Sequence, residues 1–247
     1  MLGPSSAFWR LNAWNGNVLE REERPGLGLL LLAGDAGPTL IVYGEPGSAI
    51  PALVELAGRG VTPAHTLINR EVYGALDEPL REHFGPSWGH AWDFFWADQP
   101  LAPVEHCERV EFCAAASEEM AEVRGEIRAA LLASNPISDA VGELDRLDWF
   151  YLRAPDGNIA TVMGAERTGG AVGFHGLGTV PDYRGNGYGG AMMVGAVNAA
   201  LERAQFIRFG VWAWNEGAMR LYTRLGITRD GAIISGRVEP FEELRGT

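Results

Sequence analysis

Between residues 179 and 190 the chain reads Thr-Val-Pro-Asp-Tyr-Arg-Gly-Asn-Gly-Tyr-Gly-Gly. The chemistry of such a stretch is anion binding. Glycines allow positive φ and let a ligand come close to the main chain. Pro181 ends a strand by withholding its donor. The free amides of the turn then converge with the positive end of the helix that follows, which suits a pyrophosphate. A nucleotide phosphate loop of the Gly-Lys type is excluded, because the sequence contains no lysine. Gly185, Gly187 and Gly190 match the dinucleotide fingerprint literally. However, the acidic residue it requires about 20 positions on falls near Glu202, inside the same helix. A glycine-rich turn with no ligand is the remaining alternative.

A second constellation follows: Asn215, Ala218, Leu221, Tyr222, Leu225 and Gly226, on a short helix after the next strand. With Arg184-x-x-Gly187-x-Gly189 ahead of it, the pair resembles the two signatures of the GCN5-related N-acetyltransferase (GNAT) family over roughly residues 105–238. The resemblance implies acetyl-CoA as co-substrate, an amine-bearing acceptor (small molecule or protein), and direct transfer in a ternary complex. It also implies that Leu177, Gly178 and Thr179 end a strand splayed from its neighbour. Their unpaired backbone groups would meet the pantetheine arm and polarise the thioester carbonyl. Gly185, Asn186, Gly187, Tyr188, Gly189 and Gly190 would cradle the pyrophosphate, with Arg184 adding charge. Asn215 would bond the pantetheine or cap its own helix.

Tyr222 is the expected general acid, donating to a developing thiolate in a dry site. The family often places a glutamate on the strand ending at Thr179, and this chain has none there. His175 is the expected base, since histidine accepts a proton near neutral pH. Alternation along a strand would put it on one face with Leu177 and Thr179. Glu166 or Asp148 through water is a further route. A non-catalytic acyl-CoA-binding sensor or scaffold is the alternative function.

Other groupings carry less. Gly85-Pro86-Ser87-Trp88-Gly89 fits the hydrolase elbow formula, but a helix precedes it and a strand follows, the reverse of that motif. Trp88, Trp92, Phe94, Phe95 and Trp96 read as core. Trp212 and Trp214 are candidates for an aromatic wall at the acceptor, and Asp93 and Asp98 for a solvated edge. Cys107 and Cys113 match no zinc spacing, and no metal is expected.

The elements that must position these residues follow from periodicity and turn chemistry. Strands are expected at 27–33, 40–43, 88–96, 109–114, 148–154, 159–165, 171–179, 207–214 and 232–238. Helices are expected at 49–57, 73–84, 118–133, 187–204 and 215–225. Pro155-Asp156-Gly157-Asn158 is turn chemistry between two strands. The fold class is therefore α/β: a mixed, mostly antiparallel sheet of the GNAT type flanked by helices in 105–247, preceded by a smaller α/β domain in 1–104. That first part carries no motif for chemistry. Its element order resembles the later half of the same acyltransferase fold without its glycine loop, a degenerate first half such as two-part acyltransferases related to glycine N-acyltransferase have. A chain of 247 residues with net charge −12 argues against nucleic-acid partners. No apolar run reaches membrane-spanning length and no signal segment is evident, so a cytoplasmic location is expected.

Overall fold

The computed structural model describes residue 3, residues 5–11 and residues 17–238. In chain order the elements are α1 (Ala7–Leu11), β1 (Val18–Arg24), β2 (Leu27–Leu32), β3 (Thr39–Gly44), α2 (Pro46–Gly58), β4 (His65–Asn69), α3 (Arg70–Ala75), α4 (Glu78–Phe84) and β5 (Ser87–Ala97). They continue with β6 (Glu111–Cys113), α5 (Glu118–Ser134), β7 (Asp148–Arg153), β8 (Ile159–Thr168), β9 (Ala171–Thr179), α6 (Tyr188–Leu201), β10 (Phe206–Trp212), α7 (Glu216–Arg224) and β11 (Thr228–Arg237). The described residues form two compact units, 3–94 with 211–216 and 229–238, and 95–210 with 217–228.

In the first unit the strand order is β1-β2-β3-β4-β11-β5. β3 and β4 are parallel and joined through α2, while β1/β2, β2/β3 and β4/β11 are antiparallel. Leu27, Leu29, Leu40, Val42, Leu53 and Phe84 centre its core. Two strands here, β1 and β4, are absent from those expected from hydrophobic periodicity. Val-Leu-Glu-Arg-Glu-Glu-Arg of β1 is almost wholly exposed and is a strand because it pairs with the buried β2. A charged edge of this kind blunts further strand addition. The helix expected over 73–84 is two helices. Asp77 caps the second by accepting from Leu80 N at 3.0 Å, and Pro79 sits in its first turn, where a missing donor is harmless. Ser87 opens β5 after α4, so the elbow-like segment is a helix-to-strand turn.

Asp93 is not at a solvated edge. It is 0 % exposed, gripped by Arg70 Nη2 at 2.9 and 3.0 Å and by Arg229 Nε and Nη2 at 2.8 and 2.6 Å. A buried carboxylate needs such partners, and two part-exposed guanidinium groups supply them. Asp98 is exposed. Phe94 and Phe95 are core residues, as expected of the aromatic run.

In the second unit the order is β10-β9-β8-β7-β6, antiparallel except for β9/β10. The β7–β8 hairpin closes with Ala154 N on Asn158 O at 2.9 Å and Gly157 at φ +86°. α5 begins at Ser117, whose hydroxyl accepts from Met120 N. Met120, Val123, Ile127 and Leu131 face Trp149, Tyr151 and Val162 in the core. Each unit is thus a mixed, mostly antiparallel sheet with helices against it.

Candidate functional site

The candidate site of the second unit begins where β9 and β10 part. They pair in parallel at Ala171–Phe206, Val172–Ile207 and Gly173–Arg208, and no further. From Phe174 onward β9 runs beside β10 without a ladder, which leaves main-chain groups of both strands open to a ligand.

β9 also contains a bulge. Val162 and Gly164 of β8 pair with Gly178 and His175, so two steps on one strand face three on the other. Gly176 takes the turn with φ +62°, and a Cβ there would meet Ser138 Oγ at 2.8 Å and Ala140 Cβ at 2.9 Å. Gly178 is equally constrained, since a Cβ would come within 2.7 Å of Ser134 Cβ. The bulge overturns the expected alternation. His175 shares a face with Gly178, on the α5 side, and not with Leu177 and Thr179. Leu177 O accepts weakly from Asn135 Nδ2 at 3.5 Å, and Gly178 O accepts from Thr161 Oγ1 at 2.8 Å.

His175 lies with its Nε2 3.9 Å from Glu166 Oε2. Burial lowers its pKa from the ordinary histidine value, opposed by the Glu166 charge and assisted by Arg208 and Arg146, so the ring is neutral at pH 7. Asp148 is occupied elsewhere, accepting from Ala115 N at 2.9 Å.

Beyond β9 the chain makes a short 3-10 turn over Pro181–Tyr183, and its loop braces itself. Arg184 Nε donates to Thr179 O at 3.1 Å, and Asn186 Nδ2 donates to Tyr183 O and Arg184 O at 3.1 and 3.3 Å. Tyr183 Oη donates to Asp156 Oδ2 at 2.7 Å, tying the loop to the β7–β8 hairpin. The glycines have different duties. Gly185 (φ +83°) and Gly187 (φ +79°) are left-handed with open space where a Cβ would point. Gly189 makes room, since a Cβ would sit 3.3 Å from Thr179 Oγ1. Tyr188 is buried, its ring 6.5 Å from that of Tyr183 in the loop. Gly187 stands at the N-cap of α6, whose helix dipole adds positive potential there.

The loop from Tyr183 to Gly190 lines a pocket of about 410 Å³ together with Thr179, Leu221, Arg224, Leu225 and the segment Val104–His106. Leu221, Arg224 and Leu225 lie on one face of α7 by helical spacing, a signal readable in the sequence. His106 carried no such signal. Arg184 and Arg224 against the single carboxylate of Glu105 make this an anion-favouring pocket in a chain of net charge −12.

Tyr222, on the same helix, is 6 % exposed. Its ring packs edge-on against Phe209 at 5.0 Å and Phe95 at 5.7 Å, and Phe209 in turn meets Phe174 at 6.5 Å. Phe174 neighbours His175 in sequence and projects to the opposite face of β9. Tyr222 and His175 are therefore on different faces of this unit's sheet. Burial alone raises the Tyr222 pKa, so the phenol stays protonated across the physiological range. Asn215 belongs to the first unit, immediately before α7, at its N-cap position. Trp214, also in the first unit, is 64 % exposed.

The family model described as the acetyltransferase (GNAT) family matches residues 78–227. The chain belongs to the GNAT family. Its fold is similar to several solved members. A GNAT-family putative acetyltransferase from Novosphingobium aromaticivorans is 17 % identical, with 96 % of this chain and 95 % of that one covered and a TM-score of 0.51. A GCN5-related N-acetyltransferase from Sphaerobacter thermophilus is 17 % identical, with coverage of 90 % and 80 % and a TM-score of 0.53. A GNAT-family acetyltransferase from Colwellia psychrerythraea is 11 % identical, with coverage of 87 % and 81 % and a TM-score of 0.55. At these identities the likeness is one of fold. No curated protein sequence matches the chain. Among the described residues no helix is long and apolar enough to cross a membrane, and no cluster of His, Cys, Asp and Glu is arranged to hold a metal ion.

Proposed function

We propose that this GNAT protein transfers an acetyl group from acetyl-CoA to an amine by direct attack in a ternary complex. The observation that carries the reading is the three-residue pairing of β9 with β10, followed at once by the glycine loop and its anion-favouring pocket. The residues fit the co-substrate. Amides of Gly185 to Gly190 and the Arg184 guanidinium supply donors for a diphosphate. The open strand edges beyond Gly173 and Arg208 supply partners for the amides of a pantetheine arm. An N–H in Leu177–Thr179 polarises the thioester carbonyl, a preorganised donor aimed where negative charge develops.

Tyr222 donates the proton that the departing thiolate takes up. Burial makes the phenol a weaker acid but keeps it protonated, and the same dry surroundings raise the basicity of the thiolate that forms beside it. The amine enters the gap between β9 and β10 from the face opposite Tyr222, where His175, neutral and beside Glu166, receives its proton through water. Asn215 caps α7 or bonds the pantetheine. The acidic surface of the chain favours a cationic acceptor, either a small amine or a protein. Free Cys107 and Cys113 agree with a reducing, cytoplasmic setting. We read residues 1–104 as a degenerate GNAT-like domain, supported by the parallel β3–α2–β4 unit it contains.

One observation favours a second reading, an acyl-CoA-binding sensor: β9 carries no carboxylate. Thiol release from acetyl-CoA across an amine library separates the two. Turnover with at least one amine, abolished in Tyr222→Phe while acetyl-CoA still binds, supports the enzyme. Saturable binding with no turnover on any amine supports the sensor.

A further inference from the structure

The connection between the expected N-terminal domain and the GNAT core holds a residue that the reaction above does not use. His106 is one of the two non-glycine residues with positive φ among the described residues, at φ +71° and ψ −3°. That conformation is unfavourable for a residue with a Cβ, and it persists only where the surroundings impose it. The surroundings here are specific. Asn198 of α6 bonds Leu101 on both sides, accepting from its N at 2.7 Å and donating to its O at 3.0 Å. Cys107 O lies 2.5 Å from where a Cβ on Gly195 would stand, so only glycine lets the segment lie this close on α6. Arg109 Nη2 donates to Arg153 O at 2.6 Å. Anchored on both sides, His106 forms a wall of the glycine-loop pocket, with its ring 5.5 Å from that of Tyr188.

We propose that His106 is a binding residue for the nucleotide half of the coenzyme, the adenosine 3′,5′-bisphosphate end. This rests on the acetyl-CoA reading above and adds a residue from outside the family's two motifs. The pocket's position indicates which half. Apart from Thr179, none of its lining comes from the parted strands β9 and β10, where the pantetheine arm would run. Its charged walls, Arg184 and Arg224, suit phosphate. The imidazole lines the pocket beside them as a hydrogen-bond donor, its Nε2 3.7 Å from Glu105 Oε1, and the anchored left-handed backbone fixes its place there.

The test is His106→Gly, which accepts positive φ without strain and removes only the ring. Calorimetric affinities for acetyl-CoA and for adenosine 3′,5′-bisphosphate are measured on the whole chain, with thermal unfolding of the free protein alongside. Both affinities are expected to fall about tenfold, the effect of one hydrogen bond to a charged group, while Tm holds or rises. A residue that only braced the fold would lower Tm and leave affinity alone. Unchanged affinity for either ligand in His106→Gly overturns the proposal while leaving the acetyl-CoA reading intact. A wild-type protein that binds no acetyl-CoA overturns both.

Discussion

Gly187→Ala tests the glycine loop at one atom. Gly187 has φ +79°, and nothing lies within 4 Å of where its Cβ would be. The added methyl therefore meets no neighbour, and its whole effect is backbone strain, about 1–2 kcal/mol for an L-residue in this region. Alanine also narrows the unfolded ensemble, which offsets about 0.4–1 kcal/mol. The strain must then appear in one of two places. If the free loop keeps its shape, the folded state is weakened by up to about 1.6 kcal/mol, and Tm falls by up to about 3–6 °C. If the free loop relaxes, Tm barely moves. Binding must then restore the strained turn, and affinity for acetyl-CoA falls about 5–30-fold.

The assay is calorimetric affinity for acetyl-CoA with thermal unfolding of the free and saturated protein. Gly187→Asn should show a smaller loss, since asparagine tolerates the left-handed region. Gly125→Ala is the control. Gly125 lies within α5, away from the loop, without positive φ and with nothing within 4 Å of where its Cβ would be, so affinity should hold and Tm hold or rise. The reasoning is refuted if Gly187→Ala leaves both affinity and Tm unchanged, or if Gly125→Ala is as damaging as Gly187→Ala.

Tyr222→Phe should lower kcat by about 10²–10³-fold and leave acetyl-CoA affinity within about twofold, because the ring packing against Phe95 and Phe209 survives; unchanged kcat on an active amine removes Tyr222 as the acid. In a pH–rate profile of kcat/KM, the acidic limb should lie below the ordinary histidine value, following the lowered His175 pKa, and should vanish in His175→Ala. Asp93→Ala strands Arg70 and Arg229 and should cost about 2 kcal/mol in urea unfolding, which equal midpoints for variant and wild type would contradict. His65 is held at a pKa of about 4 by burial and by Arg237 opposite it in the β4–β11 ladder. Between about pH 6.5 and 4 the unfolded chain therefore binds a proton that the folded chain refuses. Stability should fall as pH drops through that window, by at most about 1.4 kcal/mol per pH unit; His65→Gln should show a shallower slope, and parallel slopes would rule this out.

The sequence alone determined the features that depend on a few consecutive residues. The Pro155–Asn158 turn, the Ser117 cap, the glycine loop and the helical stripe of α5 are all of this kind, because turn chemistry, capping and periodicity act within one or two turns of chain. The two spaced motifs were legible for the same reason, each being a short segment of fixed geometry. Only the tertiary structure decided the rest. β1 is a strand because β2 lies beside it, not because of its own charged residues. Asp93 is buried because Arg70 and Arg229, 23 and 136 residues away, converge on it. The Gly176 bulge, which moves His175 to the face of Gly178, arises from register with β8. His106 reaches the loop pocket because Gly195 and Asn198 of α6 hold its segment down. In each of these the deciding partner is distant in sequence, and contacts of that kind are fixed only when the chain packs.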